Sequence, residues 1–93
     1  MFSWDARKAL SNLKKHGVSF EEAATVFGDP LALDWEDAEH SVAEYRSKRV
    51  GLSVARRILI VAYTPRRLKN GKEIIRIISA RHASHKERKA YSG

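Results

Sequence analysis

Apolar positions in the first third of the chain recur at helical spacing. Between Asp5 and His16, Ala6, Ala9, Leu10 and Leu13 fall at i, i+3, i+4 and i+7, which predicts one buried helical face. Lys14, Lys15 and His16 close that stretch, where cations complement the helix dipole, and Gly17 suits a left-handed cap. Ser19-Phe20-Glu21-Glu22 reads as a capping box that opens a second helix. Phe20, Ala23, Ala24 and Phe27 repeat the spacing there, and Gly28-Asp29-Pro30 ends it. FSWD, residues 2–5, can form a short first strand.

From residue 31 the period shortens to two. LALDW (31–35) alternates Leu31, Leu33 and Trp35 with Ala32 and Asp34, as a half-buried strand does. Glu36-Asp37-Ala38-Glu39 is a polar turn, and 42–52 reads as extended. ARRILIVAYT (55–64) is a nearly continuous apolar run, as expected of a central strand, and Pro65 should end it. Residues 66–71 form a basic hairpin loop closing on Asn70-Gly71. Residues 72–80 make the last strand, and Ser84-His85-Lys86-Glu87 is a second capping box that starts a short helix. The expected fold is α+β. Two N-terminal helices pack on a four-stranded antiparallel sheet, with a short C-terminal helix and the optional extra strand at 2–5. All 93 residues form one domain, a length that supports a single core.

Charge sharpens this picture because it is segregated. Residues 1–44 carry four Lys/Arg against nine acids, a net −5, whereas 45–93 carry fourteen against two, a net +12. A basic half of that density attracts a polyanion, and nucleic acid is the commonest. The chain has no cysteine, which excludes disulfides, thiolate nucleophiles and zinc–thiolate sites. With no membrane-length apolar run and no secretory h-region, a cytoplasmic protein is expected.

Strict alternation puts Ile75, Ile77 and Ser79 on the helix-covered face of the last strand. Ile74, Arg76, Ile78 and Ala80 then share the other face, so Arg76 lies among apolar residues. Either it grips phosphate or it pairs with a carboxylate such as Glu44. Arg57 leads the set Leu59, Val61, Tyr63 on the strand before, and Arg66, Arg67, Lys69 and Arg88 border the same sheet as candidate nucleic-acid contacts. If the polyanion is cut and not only bound, the work is acid–base: a nucleophile activated, the phosphate charge stabilised and the leaving oxygen protonated. Arg76 and Arg81 suit the phosphate. His16, His40, His82, His85, Glu44, Glu87 and Tyr91 are the proton-transfer candidates, and Glu87 and Tyr91 share a helix face at i, i+4. Structural rivals stand beside them. His16 can bond the last carbonyls of its helix, His40-Ser41 can cap a turn, Glu87 can complete the capping box, and Tyr91 can pack the last helix. Asp34, Glu36, Asp37 and Glu39 lack calcium-loop spacing, and Glu87-Arg88-Lys89 matches a nuclease fragment only by chance, so no metal or other cofactor is expected.

Four segments in order, WDARKALSNLKKHGVSFEEAATVFGDP, HSVAEYR, RRILIVAYT and IIRIISARHASHKERKAY, resemble the BrnT toxins of bacterial type II toxin–antitoxin systems across nearly the whole chain. KHGVSF, and RIISAR followed by ER..Y, are the most specific pieces. The resemblance implies a RelE-like ribonuclease fold, RNA cleavage that arrests translation, and neutralisation by a BrnA-like ribbon-helix-helix antitoxin. That antitoxin would bring the toxin to operator DNA indirectly, in a heterotetramer with two antitoxin chains. Lys15, His16, Glu44, Arg46, Arg76, Arg81, Glu87 and Tyr91 match the family's pattern; which of them transfers which proton is not implied. The alternative from composition alone is a non-catalytic basic RNA- or DNA-binding module, or an inactive toxin serving as a repressor subunit.

Overall fold

In a computed structural model, which describes residues 1–41 and 44–92, the first helix starts at the expected cap. The Asp5 carboxylate accepts the backbone N–H groups of Arg7 and Lys8 at 2.9 and 3.0 Å and opens α1 (Ala6–His16). Gly17 closes it at φ 69°, donating its N–H to Leu13 O at 2.9 Å. Ser19 Oγ accepts Glu22 N–H at 3.0 Å to start α2 (Phe20–Thr25), which tightens into a 3₁₀ turn at Val26–Gly28.

Five strands follow a mixed topology: β1 (Phe2–Ser3), β2 (Leu33–Glu36), β3 (Ser47–Leu52), β4 (Ile58–Arg67) and β5 (Glu73–His82), ordered β1-β5-β4-β3-β2. β2 through β5 are antiparallel neighbours, as expected, but β1 pairs with β5 in parallel. The sheet is therefore five-stranded and mixed instead of four-stranded and antiparallel. A two-residue strand has no periodicity from which to read its direction. What fixes it is the Ile75 N–H bond to Met1 O at 2.8 Å, with the Phe2 ring 5.3 Å from Phe27 and the Trp4 ring 6.0 Å from Phe20. α3 (His85–Ser92) packs back toward β3. Val42 and Ala43 of the stretch read as extended lie outside the described residues.

The core is the layer between helices and sheet, where Val18, Phe20, Ala23 and Val26 meet Leu59, Val61, Ile77 and Ala80. Gly51 admits the 3₁₀ turn: a Cβ there would stand 2.9 Å from both Val26 Cγ1 and Ala32 Cβ.

Four local expectations change. α1 does not bury its leucines; Leu10 and Leu13 remain 57% and 47% exposed, and Asn12 turns inward instead. Its Nδ2 donates to Ala80 O at 2.7 Å and Val18 O at 2.9 Å, and its Oδ1 accepts Ala80 N–H at 3.1 Å. One amide thus satisfies the β5 edge beyond the end of β1, and that need sets the helix's rotation. β2 is exposed along its whole length, being the edge strand, so LALDW is not half-buried. β4 continues through Pro65 to Arg67. Ile75, opposite Pro65, sends its N–H to β1, so the Pro65–Ile75 pair is a non-hydrogen-bonded one. The N–H that proline lacks would point to the side where β3 pairing has already ended at Tyr63, and its absence leaves no ladder bond broken.

The fourth change bears on function. Tyr63 pairs with Ile77 but Ala62 with Ser79, so Ile78 is an extra residue, a β-bulge. Past it the faces swap. Ala80 joins Ile77 in the core, while Ser79 and Arg81 join Arg76 on the open face, contrary to strict alternation.

Candidate active site

The register of the sheet lays out the open face as rows. Thr64 lies opposite Arg76. Lys48, Ala62 and Ser79 make the next row, and Val50, Ile60 and Arg81 the one after. His16 reaches this face because Asn12, one turn earlier in α1, is fastened to the β5 edge. His16, Lys48, Ser79 and Arg81 line a cavity of about 190 Å³ floored by Ile60, Ala62 and Ala80. A second hollow of about 210 Å³ adjoins it, sharing His16 and Ser79 and adding Lys8, Lys15 and Ile78. Cations thus surround a floor of small and apolar residues, an arrangement that attracts a phosphate diester and excludes bulk water from part of it.

Arg81 is held in place from behind. Its Nη1 and Nη2 donate to Glu87 Oε1 and Oε2 at 2.8 and 3.0 Å, and Nη1 also reaches His82 O at 3.1 Å. Glu87 in turn completes the second capping box: Ser84 N–H donates to Oε1 at 2.8 Å, and Glu87 N–H to Ser84 Oγ at 3.2 Å. The Arg81 guanidinium first, then the Ser84 amide, hold this carboxyl down at about 2 against a partial burial that opposes them. Glu87 is therefore ionised and engaged at neutral pH. Tyr91, one turn further on, donates to Asp29 Oδ2 at 2.6 Å, and the same oxygen accepts Leu52 N–H at 2.8 Å. That bond raises the phenol's pKa, and it fastens α3 to the end of β3.

The other candidates scatter. Arg76 is half-buried and forms no hydrogen bond or ion pair among the described residues; the pairing with Glu44 is not made. Glu44 instead meets Arg66 Nη2 at 3.2 Å and lies 3.9 Å from Arg46 Nε, too far for a hydrogen bond. Arg57 is committed to Glu22, with Nε donating to Oε2 at 2.9 Å and Nη2 to Oε1, and it reaches Gly17 O at 3.2 Å. Its hydrogen bonds hold Glu22 ionised below its usual range. Arg66, Arg67 and Lys69 are exposed at the hairpin, and Arg88 is exposed on α3. His40 Nδ1 is 2.9 Å from Asp37 Oδ2 and Ser41 Oγ caps the same turn, which is the structural role weighed for that pair. His82 and His85 are exposed near the start of α3.

Sequence reasoning missed Lys48, Ser79 and Lys8. Lys48 was detectable from the alternation of β3, but Ser79 was hidden by the bulge. A wider cleft of about 370 Å³ opens on the opposite face near Phe27, Tyr45 and Tyr63. Its polar groups already serve one another: Arg49 Nη1 donates to Asp34 Oδ2 and the Tyr63 hydroxyl to Asp34 Oδ1, both at 2.6 Å. The cation-lined cavity is the stronger site: Arg81 and Lys48 are held there by Glu87 and, at 4.0 Å, by Asp37, while His16 and Ser79 have no side-chain partner among the described residues.

No curated protein matches the chain. A crystal structure of the Brucella abortus ribonuclease toxin BrnT, at 1.1 Å, is similar to it with a TM-score of 0.65 and 26% identity, covering 91% of this chain and 99% of that one. The family model described as the ribonuclease toxin BrnT of type II toxin–antitoxin systems matches residues 4–87, a span that includes α1, the bulged strand and Glu87. The chain belongs to the BrnT family of ribonuclease toxins.

Proposed function

We propose that the open face cleaves RNA by metal-independent acid–base chemistry, and so inhibits translation in the cytoplasm until an antitoxin covers it. The observation that carries this reading is the convergence of His16, Lys48, Ser79 and Arg81 on one cavity, with Glu87 anchoring Arg81. Arg81 and Lys48 hold the non-bridging phosphate oxygens, and Arg76 and Arg46 extend the cationic track along the sheet. The 2′-OH attacks phosphorus, its proton passes to a base, and the departing 5′ oxygen takes a proton. Cleavage leaves a 2′,3′-cyclic phosphate. His16 is the imidazole at the cavity and serves in this transfer, with Lys15 beside it. Glu87 contributes by positioning Arg81, and Tyr91 by fastening the helix that carries Glu87. Glu44 holds Arg66 at the far end of the track, where Arg67 and Lys69 add RNA contacts and Arg88 borders it on α3; Arg57, bound to Glu22, is the most remote of the RNA-contact candidates. Cations around the cavity repel a divalent ion and take over its charge-stabilising role.

Total RNA incubated with the purified chain in excess EDTA tests this. Fragmentation is expected; cleavage that appears only with magnesium refutes the metal-independent mechanism, and RNA binding without cleavage identifies a binding module.

The family implies an antitoxin partner. A BrnA-like ribbon-helix-helix antitoxin, dimeric and DNA-binding, covers β5 or α3 and yields a heterotetramer that reaches operator DNA only through the antitoxin. Its acidic surface meets the +12 half of the chain.

A further inference from the structure

We propose that Trp35 is a nucleobase subsite beside the phosphate cavity, a reading that rests on the ribonuclease function above. β2 pairs Trp35 with Lys48, and Lys48 continues the row to Ala62 and Ser79. Directly opposed residues of antiparallel strands share a face, so the indole lies on the open side with the cations. Three strand spacings of about 4.8 Å place it roughly 14 Å from Ser79, within reach of a nucleotide neighbouring the one whose phosphate fills the cavity.

The indole stands outside the core of the fold. Trp35 is 40% exposed on an edge strand, it takes no part in the core cluster, and its Nε1–H has no hydrogen-bond partner among the described residues. The other tryptophan, Trp4, packs edge-on against Phe20 and is partly buried. Unpaired RNA bases stack on exposed aromatic faces, and they do so most effectively where a neighbouring cation holds the backbone. Lys48 supplies that cation in the adjacent strand, its Nζ 4.0 Å from Asp37 Oδ2 and able to turn from it to a phosphate. Because every base offers a π face, Trp35 sets where along a strand the cut falls more than which sequence is cut.

The test compares the parent with Trp35→Ala and Trp35→Phe, using a fluorescein-labelled hexanucleotide of 2′-deoxy sugars that binds but lacks the attacking hydroxyl, together with cleavage kinetics on the matching RNA. Trp35→Ala is expected to weaken oligonucleotide binding by roughly five- to a hundredfold. The loss should appear in KM with little change in kcat, and Trp35→Phe should recover most of it. In a Trp4→Phe background, where Trp35 is the sole tryptophan, the unlabelled oligonucleotide should quench tryptophan emission excited at its red edge. Trp35→Ala that binds and cleaves like the parent, or a sole Trp35 blind to bound oligonucleotide, refutes the subsite and leaves the ribonuclease reading standing. Unchanged RNA binding with lost antitoxin binding would assign Trp35 to the protein interface and equally refute it. A parent that neither binds nor cuts RNA overturns both readings at once.

Discussion

Replacing Glu87 by glutamine separates positioning from proton transfer, because it removes the charge while keeping the shape of the capping box. At about 1.4 kcal/mol per tenfold change in acidity, lowering this carboxyl from 4.5 to about 2 corresponds to roughly 3 kcal/mol favouring its ionised form in the fold. Its partner Arg81 is 40% exposed, so water screens the pair, and about 1–2 kcal/mol is the realistic share. The folded carboxyl is the more acidic one. Its stabilisation is therefore complete above the unfolded value near 4.5 and lost as pH falls toward 2. For a domain of this size, Glu87→Gln should lower Tm by about 5–12 °C at pH 7 and by almost nothing near pH 2. Calorimetric melts from pH 2 to 8 measure this. Cleavage by the folded variant should fall about tenfold or more, since Arg81 is no longer clamped, while the shape of the pH–rate profile is kept. A variant that melts like the parent at pH 7 refutes the clamp. Loss of one limb of the pH–rate profile would make Glu87 a proton carrier instead.

Arg81→Ala and Arg76→Ala should each reduce RNA cleavage by about a hundredfold or more in a gel assay. Arg76→Ala should leave Tm within a few degrees of the parent, because no ion pair is broken; an unfolded variant would assign Arg76 to the fold. Asn12→Ala should cost about 2–4 kcal/mol in urea melts, as it strips three backbone groups of their partner, and should slow cleavage by loosening His16. Hydrogen exchange on the antitoxin complex should show protection in β5 or α3, with association slowing as salt rises past physiological strength. Protection confined to residues 1–44 would contradict that placement.

Much of the fold was legible because its signals are local. Asp5, Gly17, Ser19 and the Ser84–Glu87 box mark helix ends through bonds to their own neighbours, and the helices begin there. Failures came where a distant partner overrides a local pattern. Leu10 and Leu13 carry the spacing of a buried stripe, yet Asn12 faces inward because a strand 68 residues away has two backbone groups that need it. Pro65 reads as a stop, and would be one in a strand flanked on both sides. Here the neighbour on its N–H side has already left. The candidate site divides in the same way. Arginine-rich composition and the capping box pointed to Arg81 and Glu87, but that Glu87 serves Arg81 depends on a turn geometry no spacing rule contains.

The bulge at Ile78 shows why a strand that must both fill a core and present a site gains from breaking its own period. In a regular strand, Arg76 and Arg81 are five residues apart and face opposite sides of the sheet. Putting both on the open side by period alone would require another residue between them. One unpaired residue does this, and the same shift returns Ala80 to the core, where it is 1% exposed beside Ile77. Ile78 itself borders the hollow beside His16. Asn12 then fastens α1 to Ala80, two residues past the bulge, so the element that redirects Arg81 also fixes the height at which His16 meets it. Core packing, the sheet edge and the cationic cavity thus depend on one register shift, and substitutions around Ile78 should move stability and cleavage together.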